Sequence, residues 1–331
     1  MKNKWLGASL LLMAGIWTSC GGPSSSGDQP VPTETPKQAK LVPADLPAFN
    51  ADTAYAITAK QVAFGPRVPN TEAHVKCADY LIATLKRYGA EVVVQSGKVT
   101  AYTGESLSMR NILARVNPST STRIMLCAHW DTRPFSDQDI MKPKARFDGA
   151  VDGAASVGIL LEIARVLQAH PAPIGVDIVL FDAEDYGNPK ESNTYCLGSQ
   201  YFATNPPIPN FSPKYGILLD MVGASGATFY REGFSMQYAP DVMNRVWSIG
   251  AELGYSSYFR NDPCGSVTDD HYFVNTILGI PTIDIIHHDP QKGFGDYWHT
   301  QQDNMNAVDK TTLGVVGKTL LGVVYSEKSG I

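Results

Sequence analysis

The stretch that most constrains this chain is residues 177–187, DIVLFDAEDYG. Ile178, Val179, Leu180 and Phe181 run without polar alternation, the pattern of a strand covered on both faces. Such strands belong to largely parallel sheets with helices above and below. In those sheets the crevice beyond the strands' carboxyl ends is where ligands bind. Glu184 and Asp185 stand just past that end. Alone, two adjacent acids there read more readily as a solvated turn; recurrence of the arrangement elsewhere gives them weight.

Further strands are expected at 92–102, 107–116, 123–128, 174–181, 215–222 and 280–286. Between them, apolar residues at helical spacing predict helices over 70–88, 153–167, 239–253 and 310–325. Asn70 is the expected cap of the first helix and Gly89 its stop. Strands alternating with helices imply one α/β domain with a mostly parallel, mixed central sheet and helices on both faces.

Residues 1–19 carry two lysines and then an apolar run too short to span a bilayer, which predicts a secretory signal. Small residues before Cys20 resemble a bacterial lipoprotein signal, although Trp17 stands where an aliphatic residue is usual. The expectation is an exported, periplasmic protein touching the membrane only through lipid on Cys20. Residues 20–42 read as a flexible tether, and 43–331 as the catalytic domain. Removing residues 1–19 takes away Lys2 and Lys4 and no acid, moving the net charge from −5 to −7. With no basic run, nucleic acid is excluded as an expected partner. Of the remaining cysteines, Cys77 and Cys127 fall in apolar elements and read as buried thiols. Cys196 and Cys264 fall in loops and could pair.

Polar residues recur where elements end. His129 and Asp131 follow the strand over 123–128, with Asp131 placed either to hold the ring or to meet a metal. Asp152 precedes a helix of small residues and is either a plain N-cap or a ligand; Gly153, Ala154 and Ala155 leave no bulk beside it. Asp220 ends the apolar run Ile217, Leu218, Leu219, a place where an unpartnered acid is costly. His299 follows Tyr297 and Trp298 in DYWHTQQDN, as a surface loop or a site residue. His287 and His288 are neighbours on an extended chain, so they point to opposite faces and are not expected to share a metal.

The ordered set HxD, Asp at a helix start, two adjacent acids, LLD and WHT resembles the zinc-dependent exopeptidase fold of aminopeptidases and its offshoot, the animal-type glutaminyl cyclases. GPRVPN at 65–70, RNI at Arg110, Leu197-Gly198-Ser199, LLDMVGA, DDH at Asp269, GIP at Gly279 and YWHTQQDN carry the resemblance to the cyclases. It implies one zinc per chain held by Asp152, Asp185 and His299, one imidazole and two carboxylates that suit that ion. It further implies Glu184 as general base and acid, a hydrogen-bonded acid network of Asp220 and Asp269, and Trp298 as an apolar wall. The implied substrates are peptides or proteins with N-terminal glutamine, converted to pyroglutamate with release of ammonia by a monomer. Two positions depart from the family pattern: Asp185 replaces a glutamate and Asp284 a histidine. His129 and Asp220 leave a dinuclear aminopeptidase open, with a second zinc bridged through Asp152. A tethered binding protein without catalysis is the third expectation.

Overall fold

The computed structural model describes residues 40–328, so the expected signal, Cys20 and most of the expected tether lie outside the described residues. Ten strands and eight helices are described. Six strands form the central sheet: β1 (Glu91–Thr100), β2 (Ser106–Val116), β3 (Arg123–His129), β4 (Gly175–Phe181), β5 (Gly216–Asp220) and β8 (Thr282–Ile286). Two small ribbons flank it, β6 (Phe229–Arg231) with β7 (Phe259–Pro263), and β9 (His288–Asp289) with β10 (Gly293–Phe294). The sheet order is β1-β2-β4-β3-β5-β8. β1, β2 and β4 pair antiparallel, and β4, β3, β5 and β8 pair parallel, the mixed sheet expected.

Register decides where the chemistry sits. His129 lies opposite Phe181 and Asp220 opposite Ile286, so four parallel strands end along one edge. β3 and β4 are buried along their whole length, as their unbroken apolar runs predict. Ile124, Leu126, Ile178, Leu180, Ile217 and Ile283 face the larger core. Met125, Cys127, Val179, Phe181 and Leu218 face a second layer with Phe202 and Phe211.

The helices are α1 (Ala51–Val62), α2 (Glu72–Arg87), α3 (Ser156–Ala169), α4 (Leu197–Thr204), α5 (Gly233–Tyr238), α6 (Pro240–Glu252), α7 (Asp270–Phe273) and α8 (Lys310–Ser326). Three differences from expectation have local causes. α2 is capped by Thr71, whose hydroxyl accepts from the His74 amide, because Asn70 is held left-handed at φ 69°. Asp152 is not a helix cap: residues Ala150–Ala155 form a π turn in which Asp152 (φ −89°, ψ 92°) and Gly153 (φ 83°) leave helical geometry, and α3 starts only at Ser156. The pairing left open for Cys196 and Cys264 is not formed; Cys77, Cys127, Cys196 and Cys264 are all free. No helix among the described residues is long and apolar enough to cross a membrane.

Candidate metal centre and active site

Each strand end is bent by a device that aims one side chain inward. After β4, Ala183 takes φ 52°, and Asp131 accepts hydrogen bonds from the amides of Glu184 (3.0 Å) and Asp185 (3.3 Å). Asp131 is thus a backbone clamp, a role beyond the two open to it in the sequence, with His129 Nδ1 3.5 Å from its Oδ1. On the other side, Asp303 accepts from the amides of Val151 (2.7 Å) and Asp152 (3.2 Å), pinning the π turn. Gly153 is required there: a Cβ would stand 2.7 Å from the His129 carbonyl and 2.9 Å from its Nε2. His299 itself takes φ 53°.

These bends bring Asp152, Asp185 and His299 together, with one ligand atom from each lying within 4.8 Å of the others. His299 Nε2 is 3.2 Å from Asp185 Oδ1 and 3.7 Å from Asp152 Oδ2. Two ligands at about 2.1 Å from one tetrahedral zinc stand roughly 3.4 Å apart, so the spacing suits that ion. Asp185 Oδ2 is buried without a hydrogen-bond partner, an oxygen with capacity to spare for a cation. Burial opposes a charged His299 ring, yet Asp185, Asp137 and Asp152 push it up to about 9, a measure of the negative charge gathered there.

An outer bracket holds two of these groups. His299 Nδ1 lies 3.1 Å from Asp137 Oδ1, which places the ring proton on Nδ1 and leaves Nε2 facing the acids. Asp137 is gripped by Arg133 through Nε (3.0 Å) and Nη2 (2.6 Å), and Nη1 of the same guanidinium reaches Asp185 Oδ1 at 3.2 Å. Although burial works to raise the Asp137 carboxyl, His299 and Arg133 hold it well below the usual range. Arg67 donates from behind to the carbonyls of Trp130, Asp148 and Gly149, tying the β3 end to the turn that carries Asp152. Asp137 and Arg133 carry no signal beyond an i, i+4 charge pair, and sequence reasoning missed them. Asp303 and Arg67 lie inside YWHTQQDN and GPRVPN, where their roles had no local mark.

Glu184 stands beside the trio rather than in it. One carboxylate oxygen accepts from the Cys196 thiol (3.3 Å), the other lies 4.0 Å from His129 Nδ1, and Asp269 is within the same cluster. Burial, and then Asp185, push its carboxyl well above the ordinary range. Asp220 lines the same cavity as Asp269, the acid expected beside it. It lies 3.3 Å from His129 Nε2, which is also 3.0 Å from Asp152 Oδ1, so His129, Asp152 and Asp220 make a second possible metal trio. Burial raises Asp220 to about 7, with Asp269 and Asp152 adding to it against His129. Asp269 caps α7, and one of its oxygens lies within 4.8 Å of atoms of His271 and Asp284.

The acids floor a cavity of ≈ 410 Å³, walled by Trp298, Phe294, Ile286, Val267 and Tyr195. The Trp298 ring stacks on His299 at 3.9 Å between centroids. His288 lines the same cavity, while His287 turns away to the Tyr297 hydroxyl at 2.9 Å, the divergence expected of adjacent residues.

Residues 111–324 match the family described as Peptidase family M28. The structure superposes on the glutaminyl cyclase of Tannerella forsythia with a TM-score of 0.83 at 53% identity, over 85% of this chain and 100% of that one. A Zn-dependent exopeptidase of Parabacteroides distasonis superposes with a TM-score of 0.83 at 50% identity, over 85% and 100%. The glutaminyl-peptide cyclotransferase of Bos taurus is 24% identical over 289 residues, 77% of this chain and 76% of that protein. The chain belongs to peptidase family M28, and within it to the group that includes the bacterial glutaminyl cyclases.

Proposed function

We propose that this protein is a zinc-dependent glutaminyl-peptide cyclotransferase, converting N-terminal glutamine of peptides or proteins to pyroglutamate with release of ammonia. The observation that carries the reading is Glu184, a partly buried acid at the shoulder of the Asp152, Asp185 and His299 trio with no place in the trio itself. Those three residues would hold one zinc per chain, and such an ion would supply Lewis acidity toward the side-chain amide carbonyl of the substrate.

The protein's own groups then do the positioning and the proton work. Trp298, Phe294, Ile286 and Val267 pack the glutamine methylenes and keep water from the reacting carbon. As the α-amine nitrogen forms its bond to the γ-carbonyl carbon, Glu184 takes a proton from that nitrogen. When the bond from that carbon to the amide nitrogen breaks, Glu184 returns the proton and ammonia leaves. Shuttling of this kind is worth roughly a hundred- to ten-thousand-fold. The Cys196 thiol and the clamped Glu184 backbone fix the carboxyl for both transfers. Asp269, on the cavity floor, accepts from the amide being expelled, and Asp220 holds His129 against Asp152.

A second reading follows from His129, Asp152 and Asp220, whose spacing also suits a cation: a dinuclear aminopeptidase. Incubating the purified protein with a Gln-initiated peptide separates the two. Ammonia with a blocked N-terminus supports the cyclase, whereas a freed amino acid and two zinc ions per chain refute it. We further propose an exported monomer, tethered by lipid on Cys20, with no nucleic-acid partner; the signal-like residues 1–19 and the net charge support this.

A further inference from the structure

Away from the cavity, the loop from Ser136 to Ala145 differs from the rest of the surface. Ile140 and Met141 at its tip are 94% and 86% exposed, whereas no other large hydrophobic side chain among the described residues is above 48%. Two neighbouring apolar side chains held out this far contribute nothing to the core and mark a contact site. The tip is firmly built. The Ser136 amide donates to the Ala145 carbonyl at 2.8 Å, closing the loop at its base, and the Ser136 hydroxyl donates to the Lys142 carbonyl at 2.8 Å. Asp139 Oδ1 accepts from the amides of Met141 and Lys142, both at 2.9 Å, and its Oδ2 accepts from the Gln301 amide at 3.0 Å. The Gln301 side chain donates to the Ser136 hydroxyl (2.9 Å) and the Arg146 carbonyl (3.0 Å). So held, the tip has little backbone freedom to lose when something covers it.

Shape and charge decide the occupant. At such exposure neither side chain lies in a groove that could grip a peptide or a small molecule. Lys142, Lys144 and Arg146 are exposed on the limb that follows the tip. The two acids of the loop are turned to other work, Asp137 to Arg133 and His299, and Asp139 to its three amides. What faces outward is an apolar tip with a cationic collar. We propose that this loop docks on an anionic phospholipid surface, with Ile140 and Met141 entering the acyl boundary and Lys142, Lys144 and Arg146 meeting the phosphates. The chain as a whole is acidic, with a net charge of −5, so such a surface repels most of it. That repulsion is screened beyond about 8 Å at physiological salt, which leaves the projecting tip as the part able to approach. Because the loop is bonded to Gln301, just past His299, docking there holds the active site in one orientation to the lipid. The inference goes beyond the cyclase reading and needs no lipid on Cys20.

The test uses the chain from Gly21 onward, which keeps every described element and lacks the expected lipid site. It is sedimented with vesicles of phosphatidylglycerol and phosphatidylethanolamine, and with vesicles of phosphatidylcholine alone. The wild type should bind the anionic vesicles more tightly than the neutral ones, and added salt should weaken that binding. I140S/M141S should bind the anionic vesicles at least about ten-fold more weakly. K142Q/K144Q should lose roughly ten- to thirty-fold, about five-fold for each lysine, and with it the preference for anionic lipid. Both variants should keep the wild-type urea midpoint, since all four side chains are exposed. A wild type that ignores anionic vesicles, or either variant binding as tightly as wild type, overturns the proposal. So does a wild-type dimer that ignores vesicles and becomes monomeric in I140S/M141S, which would assign the tip to a second copy of the chain. Should I140S/M141S fold poorly, K142Q/K144Q still decides. Turnover of a Gln-peptide plays no part in the readout, so failure of the cyclase reading leaves the result intact.

Discussion

Replacing Arg133 by lysine should loosen zinc without removing any of its ligands. The Arg133 side chain is 1% exposed and its fork spans two carboxylates, Asp137 through Nε and Nη2 and Asp185 through Nη1. Nη1 also reaches the carbonyls of Asp185 (3.1 Å) and Gly187 (3.2 Å). A lysine ammonium is a point charge without the planar fork, so it can serve one acid and not both. Asp137 then no longer holds His299, or Asp185 swings free. Loss of such outer partners costs about ten- to a hundred-fold in metal affinity, or roughly 1.4 to 2.7 kcal/mol. Competition for zinc against a chromogenic chelator measures this directly. Arg133→Met, which leaves the buried Asp185 and the half-buried Asp137 without their cation, should also destabilise the fold by about 3–5 kcal/mol in urea. A zinc dissociation constant for R133K within two-fold of wild type would refute the bracket as a determinant of the centre.

Glu184→Gln should lower kcat on a Gln-peptide by roughly a hundred- to ten-thousand-fold while zinc content stays at the wild-type level; undiminished turnover would sink the proton-transfer role. Gly153→Ala should destabilise the protein by about 2–5 kcal/mol. A left-handed Cβ costs roughly 1–2 kcal/mol and the overlap with His129 roughly 1–3 more, and urea titration gives the value. Acid should unfold the protein partly through Glu232. Burial works to raise this carboxyl, but His271 and Ser235 hold it down to about 2 from an ordinary 4.5. A depressed carboxyl contributes stability above pH 4.5 that is lost as pH falls toward 2, here about 3 kcal/mol. Glu232→Gln should therefore flatten the fall in urea midpoint across that window, and an unchanged slope would count against the Glu232–His271 pair.

The parts of the fold that were legible are those where hydrophobicity alone decides. β3 and β4 lack alternation because both faces are packed, and the acids beyond them stand out against that run. Helix α1 was not legible: its buried side includes Thr58 and Gln61, which bond the Ala154 carbonyl, so its apolar stripe is thin. The ligand trio could be named through the resemblance to the cyclases, but Asp152 reaches it from a turn that only the bulk of His129 and the clamp of Asp303 explain. Arg133 and Asp137 sit in a loop of charged and small residues, where nothing local separates a bracket from a solvated surface. How Asp220 and Asp269 stand toward each other was hidden for a related reason: it depends on sheet register, which ends β5 with Asp220 beside His129 and leaves Asp269 facing the same cavity from α7.

The free thiol of Cys196 gives the protein an internal reporter. It is sealed at 0% exposure against Glu184, and burial raises its pKa well above the ordinary thiol value, so in the closed fold it is inert to alkylating reagents. Cys264 is only partly covered and should be modified first. Labelling of Cys196 must then wait for the floor beneath the base to open, and its rate, followed by mass spectrometry, clocks that local breathing.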